Sequence, residues 1–462
     1  MWLRLTTTLL YASLAFNTQA NPLQSGGKTS TDKSGSSAFS MPASNLSFDK
    51  RLDFSVGNSF FRNPWVTAPA TTDARDGLGP LFNTNACQGC HIRDGRGHPP
   101  RFKGDNAVSM LVRLSIPATD SPEHQQILRQ QGVIPEPHYG GQLQDMAIPN
   151  AKPEGKVNIS YTLHTLRLND GTKVELRQPH LTVTDLNYGA LREDTLYSAR
   201  IAQPMIGLGL LEAIPESVLL ARQDADDSNQ DGISGRANKV WDNHAGKAVM
   251  GRFGWKAGQP SLHQQNASAF AGDMGLTSAL FLADDCMVAQ ECARFPNGGE
   301  LEVSEDILDS VTFYSQHLAV PVRRNMDKPA VKAGEQLFLA LGCSSCHIPS
   351  YTTGQHASPA LSKQKIYPYT DLLLHDMGEG LADNRPEFLA NGREWRTQPL
   401  WGLGYAAEVA GSDDAFYLHD GRARTLLEAI LWHGGEAEIA KQSVMAASKN
   451  ERAQLIAFLE SL

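Results

Sequence analysis

The stretches CQGCH, residues 87–91, and CSSCH, residues 343–347, decide how this chain of 462 residues is interpreted. In each, two residues separate a pair of cysteines, and a histidine directly follows the second cysteine. Two thioether bonds from such a pair attach a haem, and the adjacent imidazole is then placed to bind its iron. With 6 Cys and 14 His in the chain, chance rarely produces this arrangement twice. We therefore predict two haem c groups, held by Cys87, Cys90 and His91 and by Cys343, Cys346 and His347.

Cys-x-x-Cys pairs also occur in two other kinds of site. A thioredoxin-like redox pair uses the same spacing, but it does not require a histidine after the second cysteine. A zinc site built from both clusters would need them to meet in space, although roughly 250 residues separate them. Haem attachment explains both histidines most economically, and the other two interpretations stay open.

The composition and the N-terminus indicate an exported globular protein. Hydrophobic residues make up 41% and charged residues 20% of the chain, and its net charge of -9 argues against nucleic acid or an anionic membrane as partner. Arg4, the apolar run 9–16 and the small residues ending at Ala20 have the pattern of a signal peptide, residues 1–20. No later segment has about 18 consecutive apolar residues, so we expect a periplasmic protein without a membrane span.

Internal repeats divide the rest of the chain into two related halves. RIAQPMIGLG, residues 200–209, is matched by RTQPLWGLG, residues 396–404, and each half contains one cysteine cluster. Phe82 and Phe338 also both lie five residues before the first cysteine of a cluster. We therefore predict a mainly α fold of two cytochrome c-like modules, with a β-rich insertion in the first. The expected parts are a flexible leader at 21–44, an N-terminal module at 45–303 with its insertion at about 105–195, and a C-terminal module at 304–462.

Three local patterns add structural detail. Residues 157–168 and 174–183 are rich in β-branched and large apolar side chains, and the Asn-Asp-Gly between them predicts a hairpin. Ser448 and Glu451 form a capping box ahead of a terminal helix. The remaining cysteines, at 286 and 292, could close a small disulfide in an oxidising compartment.

Candidate metal ligands also lie outside the two clusters. For the sixth position of each iron the chain offers His98, His138, His164, His180, His375, Met377, His419, His433 and Met445. In the acidic stretch DADDSNQDG, Asp227, Asn229 and Asp231 stand at positions 1, 3 and 5 of a calcium loop. Asn238 occupies position 12, where an EF-hand has glutamate. Calcium and a solvated acidic turn are therefore both compatible with this stretch.

Several stretches resemble the bacterial di-haem oxidoreductase family, which is related to the di-haem cytochrome c peroxidases. They are DGLGPLF (76–82), GLGLLEAIPE (207–216), DGISGRAN (231–238), GRFGWKA (251–257) and FYLHDGRARTLLEAILWHGGEA (416–437). The resemblance covers nearly the whole mature chain. It implies a peroxidase-like oxidoreductase in which the N-terminal haem meets hydrogen peroxide. The C-terminal haem would store an electron from a small cytochrome c or a cupredoxin.

The resemblance also implies roles for particular side chains. In the related peroxidases a tryptophan passes electrons between the haems, while a glutamine and an acid assist peroxide cleavage. Trp255 matches the tryptophan, Gln265 has the glutamine's spacing ten residues later, and Asp273 lies close to the acid's expected place. We therefore expect Trp255 to be the relay and Asp273 the general acid/base.

His433 is the expected sixth ligand of the second haem. It follows His419 by 14 residues, the spacing at which the related peroxidases usually have methionine. Two imidazoles give a lower reduction potential than imidazole with methionine. Those enzymes also have a histidine some 16 residues past the first cluster, whereas the nearest here is His98. The alternatives are a non-enzymatic electron-transfer cytochrome, a thiol oxidoreductase and an accessory redox protein in iron acquisition.

Overall fold

The computed structural model describes residues 22–102, 104–412 and 415–462. The predicted signal peptide, residues 1–20, lies outside this part of the chain. Residues 22–44, expected from their composition to form a flexible leader, instead lie against the body of the protein. Ala38 and Phe39 are buried there in a hydrophobic core that also contains Trp401.

Long helices form the framework, and short helices connect them. The α-helices are α1 Phe48–Arg62, α2 Cys87–Cys90, α3 Pro122–Gln131, α4 Leu208–Glu212, α5 Glu216–Leu220, α6 Leu262–Met274, α7 Glu305–Gln316, α8 Pro329–Ala340, α9 Ala406–Ala410, α10 Leu426–Trp432, α11 Glu438–Ala446 and α12 Lys449–Leu459. The side chain of Ser261 caps α6, and Ser304 caps α7. The capping box of Ser448 and Glu451 at the start of α12 is confirmed.

Each strand pairs with a single antiparallel partner. The strands are β1 Leu81–Phe82, β2 Met110–Ser115, β3 Met146–Ala147, β4 Lys156–Arg167, β5 Lys173–Thr184, β6 Leu196–Ile201, β7 Lys239–Asp242, β8 Lys247–Met250, β9 Tyr351–Thr352, β10 Lys365–Ile366, β11 Leu374–Asp376 and β12 Glu394–Arg396. The pairs are β1–β3, β2–β6, β4–β5, β7–β8, β9–β10 and β11–β12.

The predicted mainly α class is wrong, because helix accounts for 31% and strand for 18% of the chain. Much of the strand lies outside the predicted insertion, as in β11 and β12. In this ladder Leu374 pairs with Arg396 of the next strand along the chain. Strands of two or three residues are too short for an alternating pattern, so their existence depends on the tertiary contact.

Two pairs of long helices cross in the same way. α1 crosses α7, and α8 crosses α12. A Cβ atom on Gly57 would overlap the Ser310 carbonyl at the first crossing, and one on Gly334 would overlap the Gln454 carbonyl at the second. Glycine is required at both positions because the two backbones approach too closely for any side chain.

The two sequence repeats occupy matching places beside these crossings. Gly207 and Gly402 have positive φ angles of 68° and 77°. Each donates its N–H to a carbonyl just beyond the end of α7 or α12, at 3.0 and 2.9 Å. Gly207 packs against the ring of Trp401, and Gly402 packs against Ile206. The residue before each glycine therefore contacts the glycine of the other repeat, so the repeats face each other.

The predicted hairpin is confirmed as β4 and β5, with 12 residues in each strand. Its turn reaches helices near the C-terminus. Leu168 is buried against Leu431 of α10, and Asp170 pairs with Arg452 of α12 at 2.5 Å. The hairpin therefore packs on the outside of α10, the helix that directly precedes His433.

Cys286 and Cys292, left open by the sequence, form a disulfide. The four cysteines of the two clusters are unpaired. Within the described ranges, no helix has the length and apolar character needed to cross a membrane.

Candidate functional site

The first cluster presents a buried, neutral imidazole. Its cysteines form the single turn α2, and His91 follows directly. The Nδ1 atom of His91 lies 2.7 Å from the backbone carbonyl oxygen of Gln203. Because a carbonyl can only accept, Nδ1 carries the hydrogen, and Nε2 keeps its lone pair. Burial lowers the pKa of His91 to about 4.

The second cluster repeats this arrangement. Cys343 begins a 3-10 turn, and the Nδ1 atom of His347 lies 2.9 Å from the carbonyl oxygen of Tyr369. Burial again lowers the imidazole pKa to about 4. Both histidines are therefore neutral, with Nδ1–H donating to the backbone and Nε2 available as a ligand.

A cavity of about 380 Å³ lies against the second cluster. Cys343, Cys346 and His347 line it together with His433, which follows α10. The Nδ1 atom of His433 is 2.8 Å from the Ala429 carbonyl, so this ring also directs a free Nε2 away from its helix. A charge on His433 would lower the pKa of His347, because the two rings lie close together.

Other predicted sixth ligands are less available or lie elsewhere. His375 lines the cavity, but its two ring nitrogens bind Asp371 at 2.9 Å and Glu436 at 2.6 Å. His419 also lines it and is stacked on Trp395, with ring centroids 3.9 Å apart. Met377 is a further lining residue. His98, His138, His164, His180 and Met445 are not among the residues that line this cavity.

The three residues expected to act in catalysis divide between the two clusters. Trp255 lines the cavity of the second cluster, and its Nε1–H donates to the Ile201 carbonyl at 2.9 Å. Gln265 and Asp273 are eight residues apart on α6 and so share one face of that helix. The charge of Asp273 acts on the thiols of Cys87 and Cys90, which places this carboxyl beside the first cluster.

The Asp273 carboxyl is held by one amide. Gln142 donates its Nε2–H to Oδ1 of Asp273 at 2.9 Å. Burial raises the pKa of Asp273, while the charge of Arg113 and the hydrogen bond from Gln142 act in the opposite direction. A carboxyl in such a position can hold or release a proton nearer to neutral pH than an exposed aspartate.

Comparison with known families connects this geometry to an identity. The sequence matches the family described as "Di-haem oxidoreductase, putative peroxidase" over residues 19–462. The chain belongs to the di-haem oxidoreductase family. The predicted resemblance is thereby confirmed, and membership implies haem cofactors and oxidoreductase chemistry. A comparison of the chain with curated proteins found no match.

The residues of this di-haem oxidoreductase fit the group that the family implies. Each cluster combines two unpaired thiols with an imidazole whose Nε2 has no partner among the described residues. At the second cluster, His433 adds another imidazole on a cavity within the usual roughly 300–1,000 Å³ of cofactor sites. Both the donor set and the space are therefore suited to haem there.

The acidic stretch DADDSNQDG is a turn stabilised by its own side chains. The Asp227 carboxylate accepts the N–H groups of Asp231 at 3.0 Å and of Gly232 at 3.2 Å. Asp231 in turn accepts the N–H of Ile233 at 2.9 Å and the side-chain amide of Asn229 at 3.2 Å. These bonds account for the pattern of acidic residues, and calcium binding stays a prediction.

The aromatic contacts of the two histidines were missed from the sequence. The ring of Phe61 lies 6.2 Å from that of His91, and Phe338 lies 6.3 Å from His347. Phe61 is thus the structural counterpart of Phe338. The sequence spacing had instead matched Phe338 with Phe82, which lies in β1. Both phenylalanines stand four residues after the glycine of a helix crossing, and this shared Gly-x-x-x-Phe pattern could have revealed the match.

The carbonyls that orient the histidines had no signal in the sequence. Gln203 and Tyr369 contribute main-chain oxygens, so their side chains reveal nothing about the contact. Tyr369 has a φ angle of 54°, a left-handed conformation that costs a tyrosine about 1 kcal/mol or more. This conformation occurs at the residue whose carbonyl holds His347.

Proposed function

We propose that the protein is an exported c-type di-haem oxidoreductase of the peroxidase type, in which electrons move between two covalently attached haems. The observation that carries this proposal is the shared state of the two cluster histidines. Each is buried, neutral and bonded through Nδ1 to a backbone carbonyl, which leaves Nε2 as a ligand. A second imidazole, His433, shares the cavity of His347.

The state of the thiols supports attachment over thiol exchange. Burial raises the pKa of Cys87 to about 12 and that of Cys343 to about 11. Redox-active cysteines instead have lowered pKa values, because the thiolate is the nucleophile. Neither cluster is therefore suited to the chemistry of a thiol oxidoreductase.

The proposal assigns the haem-binding residues by cluster. Cys87, Cys90 and His91 would hold the first haem, and Cys343, Cys346, His347 and His433 would hold the second. When bound, the haems supply the irons at which peroxide is reduced and an electron is stored. The protein's own contribution is placement, proton transfer and a route for electrons.

Asp273 is the proposed general acid/base at the first site. It accepts a proton from the peroxide oxygen nearer the first site and returns that proton to the departing oxygen. The amide of Gln142 fixes Oδ1, and Oδ2, which has no hydrogen-bond partner among the described residues, would be the oxygen that takes and returns the proton. Gln265, on the same face of α6, would position the peroxide by hydrogen bonding.

Trp255 is the proposed relay between the sites. Its ring lines the cavity of the second site, and its Nε1–H is bonded to Ile201. Two residues further along the chain, the Gln203 carbonyl holds His91 of the first site. Trp255 thus lies between the second cavity and the segment that orients the first histidine.

The location and the partner follow from the same proposal. Covalent attachment of haem and the disulfide of Cys286 with Cys292 suit an oxidising periplasm. A small cytochrome c or a cupredoxin would deliver electrons to the second site, and hydrogen peroxide would take them from the first.

Intact mass tests the attachment directly. The chain would be expressed with its signal peptide in cells that contain cytochrome maturation machinery, and the periplasmic protein would be purified. We expect the mass of the mature chain plus two haems, and plus one haem for the double variant Cys343→Ala/Cys346→Ala. A mature wild-type chain without added haem would contradict the proposal.

Spectra and turnover test the enzyme against the electron carrier. A high-spin first haem that binds cyanide, with peroxide turnover in the oxidised or half-reduced state, is expected for the enzyme. Two low-spin haems without turnover in either state would instead identify an electron-transfer cytochrome.

A further inference from the structure

Two arginines on the wall of the large cavity lack the partners that buried cations normally have. The cavity of Cys343 and His347 is lined by Arg396 and by Arg96. Within the described ranges, neither guanidinium forms an ion pair with a carboxylate. Lys441, the third basic residue on this wall, differs because its Nζ lies 2.5 Å from Glu438.

Arg396 is buried, with 5% of its surface exposed. Its Nε–H donates to the Gly254 carbonyl at 2.9 Å, and Nη2–H donates to the side chain of Gln398 at 2.9 Å. The remaining nitrogen, Nη1, is buried without any hydrogen-bond partner. The carboxyl that acts on Arg396 over a longer distance is Asp371, which is already bonded to His375.

Arg96 reaches the same cavity from the first cluster. It follows His91 by five residues and is half-buried. Its guanidinium lies 5.7 Å from the centre of the Tyr417 ring, and the described chain offers it no hydrogen-bond acceptor. It also lines a small adjoining cavity of about 20 Å³ together with Arg101.

A buried guanidinium without a counter-ion is costly, so its retention indicates an anionic ligand. Arginine binds carboxylates through two parallel N–H donors, which makes it the usual partner of this group. A haem carries two propionate carboxylates, and this cavity has two unpaired arginines beside the cysteines that would attach it. We propose that Arg96 and Arg396 bind the propionates of the haem attached at Cys343 and Cys346. This assignment rests on the proposed function.

The assignment links the two haem sites. Arg96 belongs to the segment that carries the first cluster, yet it lines the cavity of the second, and its guanidinium lies over the ring of Tyr417 on the same wall. Arg396 begins the second repeat, and its partner Gln398 accepts a hydrogen bond from Gln203 of the first repeat at 2.8 Å. Gln203 is also the residue whose carbonyl holds His91. Binding of the second haem therefore engages residues that orient the first.

The experiment measures the midpoint potential of each haem in the mature di-haem protein between about pH 5 and 8. In Arg396→Gln and in Arg96→Gln we expect a lower potential for the second haem, because a neighbouring cation disfavours its ferric state. We also expect a pH dependence beyond that of wild type, because burial raises the carboxyl pKa of a propionate that has lost its guanidinium. The first haem should change less.

Matched variants separate this role from a general effect of substitution. Arg101→Gln removes the same group from the small cavity alone and should leave both potentials unchanged. The other titratable side chains on the large cavity stay in place, so a new pH dependence in a variant reports on the propionate. These side chains are Asp231, His375, Tyr417, His419, His433, Glu436 and Lys441.

The outcomes decide between the assignment and its alternatives. Unchanged potentials and pH dependence in both Gln variants, with two haems in the intact mass, would overturn the propionate assignment and leave the proposed function standing. If a Gln variant does not mature, Arg396→Lys and Arg96→Lys are titrated in the same way. They keep the charge but bind a carboxylate through a single point donor, so a potential near that of wild type with a stronger pH dependence supports the assignment, and the pH dependence of wild type contradicts it. Wild type without haem would instead end the proposed function.

Discussion

His433 would determine the reduction potential of the second haem, because imidazole and thioether ligands stabilise different oxidation states of iron. Replacing His433 by Met should raise the midpoint potential by a sizeable part of the roughly 0.8 V range that axial ligands cover. Redox titration followed by absorption spectroscopy measures the change. His164→Met, on the exposed hairpin, is the control and should shift neither haem. Unchanged potentials in the His433 variant would show that it does not bind iron.

Asp273 is expected to control the pH dependence of peroxide turnover. The ionised carboxylate accepts the proton, so activity should fall as the pH drops through the pKa of Asp273, which burial raises. In Asp273→Asn we expect kcat/KM for peroxide to fall roughly 100-fold or more and this acid limb to disappear. Steady-state assays across pH check both effects. Asp309→Asn, on the exposed surface of α7, should match wild type, and a retained limb in the Asp273 variant would exclude this role.

Single residues can be singled out from the sequence where the chemistry depends on neighbours in the chain. The Cys-x-x-Cys-His spacing singled out both histidines, and the structure then shows both with the same tautomer. The unpaired Arg96 and Arg396 were not predicted, because nothing in a sequence shows whether a charged side chain has a partner.

At the scale of elements, the β4–β5 hairpin should stabilise α10, against which its turn packs. Leu168 is 2% exposed and contacts Leu431, so Leu168→Ala should lower the free energy of unfolding by roughly 2–4 kcal/mol. Leu163 is also on the hairpin, but 55% of its surface is exposed. Leu163→Ala should therefore lower the free energy of unfolding by less than about 0.5 kcal/mol. Urea denaturation followed by circular dichroism measures both. Equal losses of unfolding free energy in the two variants would show that the contact of Leu168 with α10 does not stabilise the protein.

The hairpin could be predicted because its turn residues and its flanking strands lie together in the sequence. The mainly α class was wrong because six of the other strands have only two or three residues, and because β1 and β2 pair with strands more than 60 residues further along the chain, β3 and β6. The glycines at the helix crossings show the opposite case. Glycine is required at these positions by a helix backbone more than 100 residues away in the chain. The Gly-x-x-x-Phe pattern that both crossings share is nevertheless visible in the sequence.

For the whole molecule, Trp255 is the proposed connection between the two haem sites. Trp255→Phe should slow electron transfer between the haems, because a phenylalanine ring is harder to oxidise, while both absorption spectra stay unchanged. Loss of the Nε1–H bond to Ile201 should also cost about 1 kcal/mol of stability. Rapid reduction of one haem, followed by the absorbance of the other, measures the rate. Trp241→Phe, in β7, is the control, and an unchanged rate in the Trp255 variant would exclude the relay.

The family, and the attachment chemistry that we propose, could be inferred from the amino-acid sequence because both depend on residues at short, regular spacings. The hairpin and the capped terminal helix could also be predicted, because their signals are local. The folded structure was needed to show which carbonyl orients each histidine, which imidazole shares the cavity of His347 and which arginines lack a counter-ion. Those relations join residues far apart in the chain, 112 residues in the case of His91 and Gln203. Burial then sets their protonation, and burial exists only once the chain has folded.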